Sequence, residues 1–365
     1  MPGQARASAR AFFAGNWGQR VIGVKVQFPL LFGEYFSDRC YVMTTLYPWL
    51  EPYRLTVATA LTQGRLPHAL LLTGLQGVGK GVLAEALAGQ LLCSAATLET
   101  GPCGHCDACA QLNAGSHPDY LRIQPEEDSS VIKVDQVRLL AEKLSFSSHQ
   151  GGYKVAVLNP AGSLNINAAN SLLKTLEEPS DNTVLLLICE RPSQLPATVR
   201  SRCQQIRVEV PGQDAALQWL AGQGIAGPAG TYLKMAHGAP LEALKQAQAD
   251  SITARREHLD SLVDILEGRA TPLAVAQSWS GEEDMRGICW MREWLMDVIR
   301  IGMTGQTSEV RSVDLLETLR KLARRLDSRV VFNQLERINS TLAASASLNR
   351  QMLTEDILLA WAAQK

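Results

Sequence analysis

The chain has 365 residues, 46% of them hydrophobic and 19% charged, and 35 basic against 36 acidic side chains give a formal net charge of −1. This length predicts two or three domains, and the composition is typical of a globular protein rather than a disordered one. The near-neutral charge disfavours a protein whose main task is to grip DNA alone. No apolar run approaches the roughly 20 residues of a membrane-spanning helix. We therefore expect a soluble, cytoplasmic protein.

The first 45 residues differ in composition from the rest. The stretch from Met1 to Arg20 contains three arginines and no acid, and it lacks the apolar core and cleavage site of a secretory signal. A targeting segment and a disordered or artefactual extension both stay open, and we favour the extension. We expect the ordered fold to begin near Leu46.

A glycine-rich loop lies between a short apolar run and a helical pattern, and it reads Gly74-Leu75-Gln76-Gly77-Val78-Gly79-Lys80-Gly81. In a phosphate-binding loop of this kind, backbone N–H groups surround phosphates and the lysine reaches the terminal ones. Gly74, Gly77, Gly79 and Lys80 are therefore candidate nucleotide-binding residues. Gly81 stands where such loops carry the hydroxyl that binds Mg²⁺. Weak nucleotide binding and a turn kept only for packing both stay open.

Strand patterns alternate with helical patterns up to residue 209. We expect strands at 68–73, 120–123, 153–158, 184–188 and 205–210, with helices at 51–63, 134–144 and 165–178. This alternation predicts a parallel five-stranded sheet covered on both faces.

The strand at 153–158 lacks the carboxylate that an ATPase needs at its end to hold the metal. Asn159 and Pro160 follow it instead. Because Gly81 also lacks a hydroxyl, we expect no intrinsic ATPase activity.

Four of the eight cysteines fall close together, at Cys93, Cys103, Cys106 and Cys109. Two overlapping Cys-x-x-Cys steps allow four thiolates to converge on one tetrahedral ion, for which Zn²⁺ fits best. Four sulfurs leave no open position, so we expect a structural role. His105 and His117 are competing ligands, and reduced thiols on a surface loop are the alternative.

A short helix predicted to start at Pro196 ends in the turn Ser201-Arg202-Cys203. The helix end would display Arg202, whose permanently charged, forked guanidinium is what an arginine finger needs. The alternative is an arginine that caps carbonyls or pairs with an acid.

Beyond residue 210 helical patterns replace the strands. Gly227-Pro228-Ala229-Gly230 predicts a turn among the first short helices. Amphipathic patterns predict a bundle further on, at 259–266, 291–299, 313–326, 331–344 and 353–362.

The chain resembles bacterial clamp-loader AAA+ proteins, in which several of these segments occur in the same order. They are the glycine loop, the four-cysteine insertion, His117-Pro118-Asp119-Tyr120, the segment 170–179 (NSLLKTLEEP) and Ser201-Arg202-Cys203. The segment 170–179 alone is highly specific. The resemblance covers Leu46 to the C-terminus.

The resemblance implies an AAA+ α/β domain followed by two helical regions. The domains would be 46–209 with the zinc insertion 93–109, a lid at 210–250 and an oligomerising collar at 251–365. Active ATPases of the family carry Ser or Thr at the place of Gly81, Asp-Glu at the place of Asn159 and Pro160, and an arginine at the place of Leu241.

These departures imply a non-catalytic stator subunit of the DNA polymerase III clamp loader. Arg202 would then complete the ATP site of a neighbouring gamma or tau subunit in trans. The other implied partners are the delta subunit and, indirectly, the beta sliding clamp and primer–template DNA, because the loader places the clamp on primed DNA in an ATP-dependent reaction. Whether the chain's own loop binds ATP stays open.

Two alternatives remain from the sequence. One is a self-sufficient AAA+ ATPase with an unusual metal shell, and the other is a zinc-containing DNA-binding module.

Overall fold

The computed structural model describes residues 46–126, 129–225, 227–279, 285–307, 309–344 and 349–364. All of them belong to one compact unit of the chain. The predicted N-terminal extension, residues 1–45, lies outside the described residues. Among the described helices, none is long and apolar enough to cross a membrane.

Five parallel strands form one sheet, which confirms the predicted architecture. The strands are β1 (Ala69–Thr73), β2 (Tyr120–Ile123), β3 (Lys154–Leu158), β4 (Thr183–Cys189) and β5 (Gln204–Arg207). Their order is β2-β3-β4-β1-β5, and each neighbouring pair is parallel. The glycine loop follows β1 at the carboxyl edge of the sheet, where ligands bind in such folds.

The fifth strand is shorter than the predicted 205–210, since it ends at Arg207. The N–H of Val208 still donates to the carbonyl of Thr73. Beyond this bond β1 has ended at Thr73, so the neighbouring chain offers no further ladder partners.

Helices cover both faces of the sheet. They are α1 (Glu51–Thr62), α2 (Lys80–Leu92), α3 (Asp107–Asn113), α4 (Val134–Ser145), α5 (Ile166–Glu177) and α6 (Ala197–Arg200). Along β1, Leu70 and Leu72 pack in the core formed with α1 and α2, while Leu71 packs in the core formed with α4 and α5. Burial on both faces explains why this strand is apolar without alternation.

The remaining described elements are helical. They are α7 (Gln213–Ala221), α8 (Ala229–Met235), α9 (Pro240–Gln248), α10 (Ser251–Glu267), α11 (Pro272–Trp279), α12 (Arg286–Thr304), α13 (Leu316–Arg325), α14 (Ser328–Ala344) and α15 (Arg350–Ala362). The first three share one small hydrophobic core, and the later helices share a separate, larger one that contains Trp294 and Trp361. The domain limits at 209/210 and 250/251 stay predictions.

One local expectation for this part was wrong, and one helix was missed. Ala229 and Gly230 do not lie in a turn, because α8 already begins at Ala229 with Pro228 as its N-cap. The helix α11 had no counterpart in the sequence prediction. Its segment is largely apolar and offers little contrast between faces, so no amphipathic pattern marks it.

Candidate functional site

Three glycines shape the loop between β1 and α2. Gly74, Gly77 and Gly79 have φ angles of 144°, 78° and 98°, which side chains disfavour. A Cβ atom at Gly77 would lie 2.5 Å from the Cβ of Glu242 in α9. The N–H of Leu241, also in α9, donates to the Gly77 carbonyl at 3.0 Å. The first turn of α9 therefore packs directly on the loop.

Lys80 turns its ammonium group back onto its own loop. The Nζ atom donates to the carbonyls of Gly74 at 3.0 Å and Leu75 at 2.7 Å, and the residue is only 6% exposed. Burial lowers the pKa of Lys80, and the nearby Glu190 partly offsets this effect. The ammonium group that would reach a phosphate is thus hydrogen-bonded to backbone carbonyls of its own loop.

Aromatic rings pack beside the second half of the same loop. The indole N–H of Trp49 donates to the Val78 carbonyl at 2.9 Å, and the ring stacks on Tyr47 with centroids 4.9 Å apart. Trp219 of α7 meets both rings edge-on, at 5.4 Å and 5.5 Å. The segment before α1 therefore packs on Val78 and Gly79, and α7 packs on that segment.

Gly81 and Asn159 lie together at the corner where an ATPase would hold Mg²⁺. The nearest neighbour of a Cβ atom placed at Gly81 is the Nδ2 of Asn159, at 3.9 Å. Space for a side chain exists there, but the two positions supply neither a hydroxyl nor a carboxylate. This corner therefore lacks the usual metal ligands because of its residue types. Packing would allow a larger side chain at Gly81.

We expect Lys80→Met to lower the free energy of unfolding by about 1–3 kcal/mol, since two carbonyls lose their donor. The same change should leave ATP hydrolysis by the isolated chain at background level. Chemical denaturation and phosphate release measure the two effects, and Lys143→Met, at an exposed position, is the control. ATP turnover that disappears in Lys80→Met would contradict this account of the loop.

The structure brings the four predicted cysteines together. Cys93 directly follows α2, Cys106 precedes α3 and Cys109 lies in the first turn of α3. Their Sγ atoms and that of Cys103 all lie within 4.8 Å of one another, at 3.7 Å for Cys93–Cys106 and 4.0 Å for Cys103–Cys109. Four thiolates about 2.3 Å from a tetrahedral ion are separated by about 3.8 Å. The cluster therefore fits a four-coordinate metal ion.

Backbone N–H groups point at these sulfurs. Those of Ala95 and Cys103 donate to the Sγ of Cys93 at 3.4 Å and 3.3 Å. Burial opposes ionisation of Cys106, but hydrogen bonds from Cys109 and Ser94 outweigh it and lower the pKa to about 6. Burial raises the pKa of Cys109, an effect that a bound cation would oppose.

The two histidines near the cluster have other contacts. The Nδ1 of His105 lies 2.7 Å from the carbonyl oxygen of Cys103 on an exposed side chain. The Nδ1 of His117 accepts from the N–H of Asp119 at 3.1 Å. Within the described residues, the group that could hold a metal consists of the four cysteines alone.

A buried arginine that the sequence did not single out anchors this insertion. Arg54 of α1 is 3% exposed and donates to the side chain of Gln90 at 3.0 Å and to the carbonyls of Leu98 and Glu99 at 3.1 Å and 3.2 Å. It also pairs with Glu51 one turn earlier. In the sequence, Arg54 looks like any solvent-facing helix arginine, because Gln90, Leu98 and Glu99 lie more than 30 residues away.

Replacing this anchor should loosen the insertion. We expect Arg54→Met to lower the free energy of unfolding by about 2–3 kcal/mol, because several acceptors lose a charged donor. Amide hydrogen exchange should accelerate at residues 97–101, while Arg65→Met, an exposed control just after α1, should change neither quantity. Unaltered exchange at 97–101 would show that Arg54 does not anchor the segment.

Asp119, in the segment His117-Pro118-Asp119-Tyr120, has a structural role. Its carboxylate accepts from the N–H groups of His149 and Gln150 at 2.8 Å and 3.1 Å. It also accepts from the hydroxyl of Ser148 at 3.0 Å. These bonds fix the connection between α4 and β3.

Arg202 lies just before β5, and its guanidinium contacts three neighbours. Its Nη2 is 2.6 Å from the Oε1 of Glu177, and the side chain is 35% exposed. Its Nη1 donates to the carbonyl of Thr198 at 2.9 Å and to the hydroxyl of Ser201 at 3.5 Å. The alternative interpretation predicted that Arg202 caps carbonyls or pairs with an acid, and both kinds of contact are present. The guanidinium still reaches solvent.

Arg202 and the glycine loop lie at opposite edges of the sheet. Leu70 pairs with Gln204 and Thr73 with Arg207, so Gly74 follows the carboxyl end of β1 while Arg202 precedes the amino end of β5. The four residue steps from Leu70 to Gly74 alone span about 13 Å. Arg202 therefore cannot reach a phosphate at the loop of its own chain.

Comparison with known proteins places the chain among DNA polymerase III subunits. A family profile described as DNA polymerase III, delta subunit matches residues 54–211, and one described as the C-terminal part of that subunit matches 249–363. The delta' subunit of Pseudomonas aeruginosa is 35% identical over 326 residues, 88% of this chain and 98% of that protein. The delta' subunit of Escherichia coli K12 is 32% identical over 319 residues, 86% of this chain and 94% of that protein.

The tau subunit of DNA polymerase III from Escherichia coli K12 is also similar. It is 36% identical over 153 residues, which are 42% of this chain and 23% of that protein. The similarity defines the class as a subunit of DNA polymerase III. Within this class the chain belongs to the delta' family, because it matches delta' subunits over almost their full length.

Proposed function

We propose that the chain is the non-catalytic stator subunit of the DNA polymerase III clamp loader. It would support ATP-dependent loading of the beta sliding clamp onto primer–template DNA during replication, in contact with the gamma or tau ATPase subunits and the delta subunit. The observation that carries this proposal is the contrast between the chain's own phosphate-binding loop and Arg202. Lys80 is hydrogen-bonded to carbonyls of its own loop, and the loop lacks its metal ligands. Arg202, with a side chain 35% exposed, reaches solvent at the opposite edge of the sheet.

Arg202 would complete the ATP site of a neighbouring gamma or tau subunit. A guanidinium placed beside the transferring phosphoryl group stabilises the charge that develops there in the transition state. It carries five N–H donors, so its bonds to Glu177 and Thr198 leave donors for a phosphate oxygen. Its distance from its own loop supports action in trans.

For the four-cysteine cluster we propose structural Zn²⁺. Four thiolates complete a tetrahedral shell and leave no position for a water molecule or substrate. The metal would stabilise the insertion between α2 and β2 and take no part in hydrolysis. The sulfur separations and the N–H groups directed at the sulfurs support this proposal.

Reconstitution with the delta and gamma or tau subunits of the same organism tests the proposed function. We expect the chain to co-purify with them and to raise the ATPase activity of the assembly, while the isolated chain hydrolyses no ATP. Sustained turnover by the isolated chain would favour the self-sufficient ATPase instead. Tight DNA binding by the isolated chain that weakens steeply with salt would favour the DNA-binding module.

A further inference from the structure

The acid that contacts Arg202 occupies a position that local electrostatics disfavours. Glu177 is the last residue of α5, and a carboxylate at a helix C-terminus faces the negative end of the helix dipole. Its partner Arg202 is 2.6 Å away, but the two side chains are 50% and 35% exposed. Exposed ion pairs contribute little to folding because water screens them. Stability of the isolated chain therefore gives little reason for an acid at this position.

The two shortest contacts of Arg202 come from different helices. Glu177 ends α5. Thr198 belongs to α6, and the carbonyl of Thr198 accepts from Nη1 at 2.9 Å. One contact alone would leave the guanidinium free to swing about a single bond. Contacts on two separate helices fix both the position and the plane of the guanidinium. They already restrict its rotamers, so the arginine loses less conformational entropy when it binds a phosphate.

We propose that Glu177 is a positioning residue for Arg202. It holds the guanidinium so that the remaining N–H groups face outward, toward the terminal phosphate of a nucleoside triphosphate on a neighbouring chain. This inference rests on the proposed arginine finger. Glu177 itself does not touch the phosphate, and the guanidinium between them offsets its negative charge.

A positioning role predicts a specific kinetic effect in the assembled complex. We expect Glu177→Ala to lower kcat for ATP about tenfold with KM unchanged, because a misplaced guanidinium loses contacts made mainly in the transition state. Glu177→Gln keeps an acceptor oxygen at the same reach and should recover part of the activity. Glu178→Ala, at the next exposed position, is the matched control and should have full activity.

The site completed by this chain has to be measured in isolation. We would assemble the loader with gamma or tau subunits that carry alanine in place of their own Ser-Arg-Cys arginine, so that Arg202 supplies the only finger. The Tm of each isolated variant and its co-elution with the partners should match wild type. A variant that lost activity together with assembly would overturn the positioning role.

A double-mutant cycle with Arg202→Ala separates this inference from the proposed function. If Glu177 acts through the arginine, Glu177→Ala causes no further loss in the Arg202→Ala background. A tenfold loss that persists there, or full activity of Glu177→Ala beside an impaired Arg202→Ala, would overturn the positioning role alone. Full activity of Arg202→Ala would overturn the arginine finger itself.

Discussion

Arg202→Ala is expected to lower ATP turnover at the neighbouring site by about 10³-fold or more, the usual contribution of an arginine finger. The reason is that a guanidinium beside the transferring phosphoryl group stabilises the charge that develops there in the transition state. Arg202→Lys should restore only part of the rate, because an ammonium group lacks the planar fork that binds two phosphate oxygens. Single-turnover phosphate release from the reconstituted complex measures the effect.

Folding and assembly should survive this substitution. The ion pair between Arg202 and Glu177 is exposed on both sides, so its loss should cost about 0–1 kcal/mol of stability. Arg200→Ala, which removes an exposed arginine from the same short helix, is the matched control and should leave turnover unchanged. Equal rates for Arg202→Ala and wild type would show that this arginine is not the finger.

Removal of the metal is expected to unfold the insertion between residues 93 and 109 and to leave the parallel sheet intact. Structural zinc in small peptides contributes about 10–16 kcal/mol of apparent binding free energy, which is also folding free energy. A loop held together by one ion should therefore lose its order with a strong chelator or with Cys109→Ser. Elemental analysis should find one zinc per chain in wild type and none in the variant.

Hydrogen exchange distinguishes local from global unfolding in this experiment. We expect fast exchange for the amides of α3 after chelation and unchanged protection in β1, because the strand is buried in cores that do not include the four sulfurs. Cys203→Ser, which alters a thiol outside the cluster, is the control and should retain its metal. An ordered insertion in fully metal-free protein would contradict a structural role for zinc.

The architecture of the sheet followed from local patterns. Apolar runs, helical spacing and the breaks between them predicted the five strands, and Cys-x-x-Cys spacing predicted the convergence of four sulfurs. In each case neighbours in sequence carry the signal, since strand and helix periods repeat within a few residues. The fifth strand was overextended because its end depends on where β1 stops.

Local sequence patterns could not predict the side-chain contacts that define the site. Trp49 and Trp219 are 170 positions apart. The hydrogen bond from Leu241 to the glycine loop depends on how α9 packs against that loop. The pairing of Arg202 with Glu177 likewise needs α5 and α6 to meet. Long-range side-chain contacts leave no periodic trace. Residue types at Gly81 and Asn159 therefore indicated a defective site but could not show the contacts that Trp49 and Leu241 make with the loop.

The central claim is that this chain acts on its neighbour's ATP site and not on its own. Comparing ATP hydrolysis by reconstituted complexes that contain Lys80→Met or Arg202→Ala tests it most directly. The account predicts near-normal turnover with Lys80→Met, because the chain's own loop performs no chemistry, and loss of turnover at the completed site with Arg202→Ala. The reverse pattern, with activity lost in Lys80→Met and kept in Arg202→Ala, would contradict it.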